Sequence, residues 1–123
     1  MYTFDTNILV YYLGEEESAV EALTPIIAST SPVYLSTISE LELLSLSSLN
    51  FQDFHEIGKL IRRLVTVPLD SRIARIASAI RRRVKLKTPD AAIAATAIAT
   101  GTTLITRNVK DFEKVPNLSI QAV

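Results

Sequence analysis

The sequence predicts an α/β protein built on a mainly parallel sheet covered on both faces. Three observations support this fold class. Short apolar runs alternate with longer segments of helical periodicity along the whole chain. Acidic or hydroxyl residues stand repeatedly where a strand gives way to a helix, as at Phe4-Asp5-Thr6 and Ser36-Thr37. At 123 residues, with no repeats and no linker long enough to divide it, the chain makes one domain over residues 1–123.

The elements follow in order. Tyr2 to Asp5 reads as a strand, with Asp5 or Thr6 capping a short helix that Gly14 ends. Glu15-Glu16-Glu17-Ser18 opens a helix to about Ala28, with Val20, Leu23 and Ile27 as its buried stripe. Pro32 to Leu35 is the second strand. The helix after it is expected to reach about Leu49, with Ile38, Leu41, Leu44 and Leu49 on one face. Ser39-x-x-Glu42 and Thr37-x-x-Glu40 both satisfy the capping box, so either glutamate has a structural reading beside a chemical one.

Phe51 to Leu64 is a helix with Phe54, Ile57, Ile61 and Leu64 inward, and Val65 to Leu69 is a strand that Pro68 places at an edge. Asp70 or Ser71 caps the next helix, in which Ile73, Ile76, Ala77 and Ile80 are inward and Arg72, Arg75 and Arg81-Arg82-Arg83 outward. Thr88 is expected as N-cap, with Pro89 in the first turn, of an alanine-rich central helix ended near Gly101. A buried strand through Thr106, a short turn of helix at Val109 to Phe112 and a last strand at Leu118 to Val123 complete the chain.

Composition narrows the chemistry. With no cysteine and a single His55, thiolate nucleophiles, sulfur-ligated zinc and a Ser-His-Asp triad have little to rest on, which leaves carboxylates and hydroxyls. No apolar run is long enough to span a membrane and no secretory signal is evident, so a soluble, cytoplasmic protein is expected. The net charge of zero hides an asymmetry. Met1 to Gly58 holds nine acids and no Lys or Arg, while Lys59 to Lys87 holds ten bases against only Asp70. An acidic site with a basic flank suits an enzyme acting on a polyanion; internal pairing of the two segments, or pairing across a dimer, is the alternative.

Asp5, Asp90 and Asp111 each follow a strand or open a helix, and Glu42 lies one turn into another. In a parallel sheet such positions meet on one edge. Acids held close repel unless protonated or joined by a cation, and oxygen-only ligands favour Mg²⁺ or Mn²⁺. Such an ion suits phosphodiester hydrolysis.

These residues resemble the PIN domain and, within it, the VapC-type ribonuclease toxins. The resemblance is carried by Phe4-Asp5-Thr6-Asn7-Ile8, by Leu35-Ser36-Thr37-Ile38-Ser39 with Glu42-Leu43, by Pro89-Asp90-Ala91-Ala92-Ile93, and by Leu104-Ile105-Thr106-Arg107-Asn108-x-x-Asp111-Phe112. It implies an α/β/α sandwich with a sheet of about five strands and an acidic pocket for Mg²⁺ or Mn²⁺. It further implies cleavage of single-stranded RNA to a 3′-hydroxyl and a 5′-phosphate. By this resemblance Asp5, Glu42 and Asp90 are metal ligands, and Asp111 or Asn108 fills the fourth position. Thr6 and Thr106 orient them. Arg81, Arg82, Arg83, Lys85 and Lys87 would engage RNA or an acidic partner, a VapB-like antitoxin is the expected partner, and a homodimer is common in the family. A receiver-like signalling domain lacks its adjacent acid pair and its lysine here; an inactive PIN-fold binding module, favoured by Asn108, is the remaining alternative.

Overall fold

The computed structural model describes residues 1–123. Strand β1 (Tyr2–Phe4) leads into α1 (Thr6–Leu13) and α2 (Glu17–Ala28); β2 (Val33–Ser36) leads into α3 (Thr37–Leu44) and α4 (Phe51–Arg63). Strand β3 (Val65–Val67) is followed by α5 (Ser71–Arg83) and α6 (Thr88–Thr100), and β4 (Thr103–Thr106) by the single turn α7 (Val109–Phe112) and β5 (Ser119–Ala122). The five strands form one sheet in the order β3-β2-β1-β4-β5, and every neighbouring pair is parallel. Strand β1 lies at the centre, with Phe4 opposite Ile105, and the proline-flanked β3 lies at an edge as expected.

The period of two along a strand divides the core between the two faces of the sheet. On β4, Ile105 joins Phe4, Ile8, Leu23, Leu43 and Ile57 under α1–α4, while Leu104 joins Ile73, Ile80, Ile93 and Phe112 under α5–α7. Ala91 through Ala97 of α6 are all buried. Small side chains let that helix approach the sheet and α5 closely, and Gly101 at φ 65° turns the chain out of it.

Expectations for two helices are corrected. Helix α3 begins one turn earlier than a Ser39 cap would place it, because the Ser36 hydroxyl accepts from the Ile38 N–H. Neither capping box is used. That phase turns Ser39 and Leu43 inward and leaves Leu41 and Leu44 exposed, so the apolar face drawn through Ile38, Leu41, Leu44 and Leu49 does not form. The helix also stops at Leu44 rather than Leu49. The Ser45 hydroxyl donates to the Leu41 carbonyl, and the serine-rich segment that follows carries Ser48 at φ 65°. In α6, Thr88 is the first helical residue and Lys87 the N-cap, with no side-chain cap bond; the first backbone bond closes from Ala91 onto Lys87.

Other boundaries agree with the sequence. Asp70 caps α5 through the Ile73 N–H, and α7 spans Val109 to Phe112. Helix α4 is capped by a reciprocal Asn50–Asp53 box, and its inward face holds Ile57, Leu60 and Ile61; Phe54, expected inward with them, is instead exposed near the helix start, a turn before that face meets the core. In α2 the fully inward residues are Ala19 and Leu23, with Val20 and Ile27 half-buried. No helix is long and apolar enough to cross a membrane.

Candidate active site

All five strands point the same way, so the chain leaves β1, β2 and β4 on one edge of the sheet, at Asp5, Thr37 and Arg107. Asp5 is 3% exposed and its N–H donates to the Ile105 carbonyl at 3.1 Å, which fixes it beside the end of β4. The Thr106 hydroxyl donates to Asp5 Oδ2 at 2.7 Å. Thr106 Oγ1 in turn accepts from the Asn108 N–H at 2.9 Å, so the hydroxyl proton is aimed at the acid.

A second hydroxyl holds Glu42. Thr6 Oγ1 donates to Glu42 Oε1 at 2.7 Å and stands 2.8 Å from Ser39 Oγ. With the single Thr6 proton directed at the carboxylate, the Ser39 hydroxyl supplies the proton between the two alcohols. Glu42 therefore faces the site through a buried Thr6–Ser39 pair. Ser39 was legible only as a candidate cap, although its spacing of three from Glu42 already puts both on one helix face.

Asp90 lies at the start of α6, and Asp111 in α7, where Asn108 Nδ2 donates to its Oδ2 at 3.0 Å. This bond uses neither the Asn108 amide oxygen Oδ1 nor Asp111 Oδ1. Burial raises Asp5 above the usual carboxylate range, and Glu42 adds to the effect; hydrogen bonds from Thr106 and from the Thr6 and Asn7 N–H groups oppose it. Asp90 is pushed up to about 6 by burial and by the charges of Asp5, Glu42 and Asp111, against which Lys87 acts. The four acids thus share one electrostatic neighbourhood. No three of them stand at the spacing of ligands around one ion.

Asp90 and Asp111 open into a cavity of about 430 Å³ lined by Arg81, Lys85, Lys87 and Lys114. Lys114 was not singled out by the sequence, yet its position three residues past Asp111 places it one helical turn further along the chain. Arg82 lines a separate groove on the other side of Arg81, and Arg83 lines neither. The two ion pairs of the chain are Lys59–Glu56 and Arg107–Glu16. Pairing of the basic segment with the acidic one inside the fold is thereby excluded for Arg72 through Lys87.

Arg107, which the sequence reading quoted but gave no role, ties the end of β4 to the α1–α2 hairpin. Its guanidinium pairs with Glu16, donates to Ser18 Oγ at 2.6 Å and lies 4.5 Å over the Tyr11 ring. The Arg107 contact holds Glu16 down at about 2. His55 is exposed and remote from these groups in the fold, on α4.

The profile of the PIN domain matches residues 2–118. The chain belongs to the PIN domain family. Among its relatives, Ribonuclease VapC2 of Rickettsia felis is 26% identical over 129 residues, covering 98% of this chain and 96% of that protein. The crystal structure of VapBC2 from Rickettsia felis, bound to a DNA fragment from its promoter, matches with a TM-score of 0.85. The identity there is 25%, over 99% of this chain and 98% of that one. A toxin–antitoxin complex from Klebsiella pneumoniae matches at 30% identity and a TM-score of 0.81, over 96% and 95% of the two chains. The parallel five-stranded sheet flanked by helices is thus the fold of VapC-type PIN domains.

The threonines of this PIN domain give a direct test. Thr106→Val removes the donor that favours the charged form of Asp5. A cost of about 1.5 to 3 kcal/mol is expected at pH 8, shrinking as the pH falls and Asp5 takes up its proton. Denaturant unfolding across a descending pH series measures both; a cost that stays the same until the fold itself is lost would show that the bond does not serve a charged Asp5.

Proposed function

We propose that this PIN domain is a divalent-metal-dependent endoribonuclease acting on single-stranded RNA, the toxin of a VapBC-type pair restrained by a VapB-like antitoxin. The observation that carries the reading is the raised proton affinity of Asp5 and Asp90, by burial and by the charges of the acids around them on one sheet edge, in a chain resembling a named ribonuclease along its length. Carboxylates that repel in this way are relieved by a cation, and an oxygen-only donor set fits Mg²⁺ or Mn²⁺.

Asp5, Glu42 and Asp90 would hold the ion, with Asp111 or the Asn108 amide oxygen at a fourth position. When bound, the cation supplies a more acidic water and neutralises charge developing at phosphorus. Thr106 and the Thr6–Ser39 pair keep Asp5 and Glu42 aimed, so their side chains need little reordering. Lys85, Lys87 and Lys114 at the mouth of the cavity bring phosphates toward the acids. Exposed Leu41, Leu44, Leu46, Phe51 and Phe54, grouped around the α3–α4 connection, support a surface covered by a protein partner.

The test is cleavage of an unstructured RNA by purified protein with Mg²⁺ or Mn²⁺. Activity is expected to vanish in excess chelator and return when the cation is restored; cleavage indifferent to the chelator would refute the metal requirement. The inactive binding module is favoured by Asn108 and by the lack of three acids at ligand spacing. It predicts RNA binding without cleavage under every cation condition.

A further inference from the structure

We propose that the groove between α5 and α6 is a nucleobase pocket, taking one unpaired base of the RNA beside the cleavage site. The inference rests on the ribonuclease reading and adds to it the part of the molecule that senses which nucleotide flanks the cut. The groove measures about 550 Å³; buried Ala77 and Ala92 form its apolar floor, Leu69, Ala74 and Ser78 its more exposed walls, with Arg81 and Arg82 at its rim. Its size and apolar floor are those of a small-molecule pocket rather than of a phosphate track.

Arg81 joins this groove to the acidic site, because it also lines the cavity into which Asp90 and Asp111 open. Its Nε donates to the Leu86 carbonyl at 3.1 Å, which restrains the plane of the guanidinium. A planar cation so held offers a stacking face to a base on one side while its charge serves the adjacent phosphate.

The surroundings select the occupant. From Ser71 to Lys87 the chain has no acid, and none of Arg72, Arg75, Arg81, Arg82, Arg83, Lys85 and Lys87 is in an ion pair. An acidic peptide would answer these cations, and a second copy of the chain would answer the apolar floor. Single-stranded nucleic acid answers both with one nucleotide, since its phosphate is anionic and its base is a free apolar plate. A base paired in a duplex could not enter.

The experiment separates binding from cleavage. Asp5→Asn protein is titrated with a short unstructured RNA and with versions in which one nucleotide at a time is abasic. Loss of one particular base is expected to weaken binding about tenfold, the scale of a single stacking contact. Ala74→Trp and Ser78→Phe fill the groove from exposed positions and are expected to erase that difference, so that intact and abasic RNA bind alike. The inference is overturned if no position is sensitive to base removal, or if the sensitivity survives in whichever filled variant folds. It is overturned as well if filling the groove turns a dimer into a monomer and leaves RNA affinity untouched. A wild-type protein that neither binds nor cleaves RNA would bring down the ribonuclease reading itself, a result distinct from those three.

Discussion

Asp90→Asn is expected to lower RNA cleavage by at least about 100-fold and, in the same protein without cation, to raise the melting temperature. The loss of activity follows from removing a charge proposed to hold the cation, since weakening even the groups behind a metal ligand costs about 10- to 100-fold. The gain in stability has a different origin. The native Asp90 pKa is about 6 against an ordinary value of 3.8, so between these values the folded protein holds a proton that the unfolded chain has released. Stability therefore falls as pH rises through that window and is lowest above it.

Asparagine is neutral at every pH and removes this slope. Allowing for solvent on the open side of Asp90, the gain is on the order of 1 to 2 kcal/mol above pH 7. Below pH 4 the variant and the wild type are expected to converge. Calorimetry across pH 4 to 8 measures the slope. Mg²⁺ or Mn²⁺ is expected to raise the melting temperature of the wild type and to do less for Asp90→Asn. Asp5→Asn is expected to lose activity to a similar degree. A variant no more stable than wild type at pH 8 would mean that the acids are not crowded.

Phe112→Ala is expected to destabilise the fold by about 3 to 5 kcal/mol, a large part of the roughly 5 to 15 kcal/mol that holds a domain together. Phe112 is fully buried in the core under α5–α7 with Leu104, Ile93 and Val115. It anchors a helix of one turn, too short to persist alone. Asn108 and Asp111 ride on that turn, so the apolar side chain beside them sets where they stand. Phe112→Leu keeps most of the volume and is expected to cost less than half as much. Asp111→Asn, on a half-buried position, is expected to alter cleavage with little change in the unfolding midpoint. Guanidinium unfolding of the three variants orders these effects; equal midpoints for Phe112→Ala and Asp111→Asn would contradict the packing.

The elements most readable in the sequence were those whose ends carry their own chemistry. Asp70 before an amphipathic run and Gly101 after the alanine helix marked boundaries that the fold keeps. The acids at Asp5 and Asp90 stood out because a charge at a strand–helix junction, or in the first turn of a helix, is placed by local structure alone. Helix α3 was harder. Three hydroxyl residues, Ser36, Thr37 and Ser39, compete as caps within four positions, and each choice rotates the helix by about 100° per residue. Choosing Ser36 turned Leu41 and Leu44 to the surface and Ser39 to the inside, which only packing against α1 and α6 decides. The Thr106–Asp5 and Thr6–Glu42 bonds were beyond periodicity, since each joins residues from distant parts of the chain.

The 101 positions separating Thr106 from Asp5 have a bearing on biosynthesis. A ribosome delivers the first strand long before β4, one of the two neighbours of that strand in the sheet. Until then the amino-terminal carboxylate has no hydroxyl to steady it. The enzyme proposed above would thus be harmless until its fourth strand is made, and its antitoxin would have nothing to restrain before then.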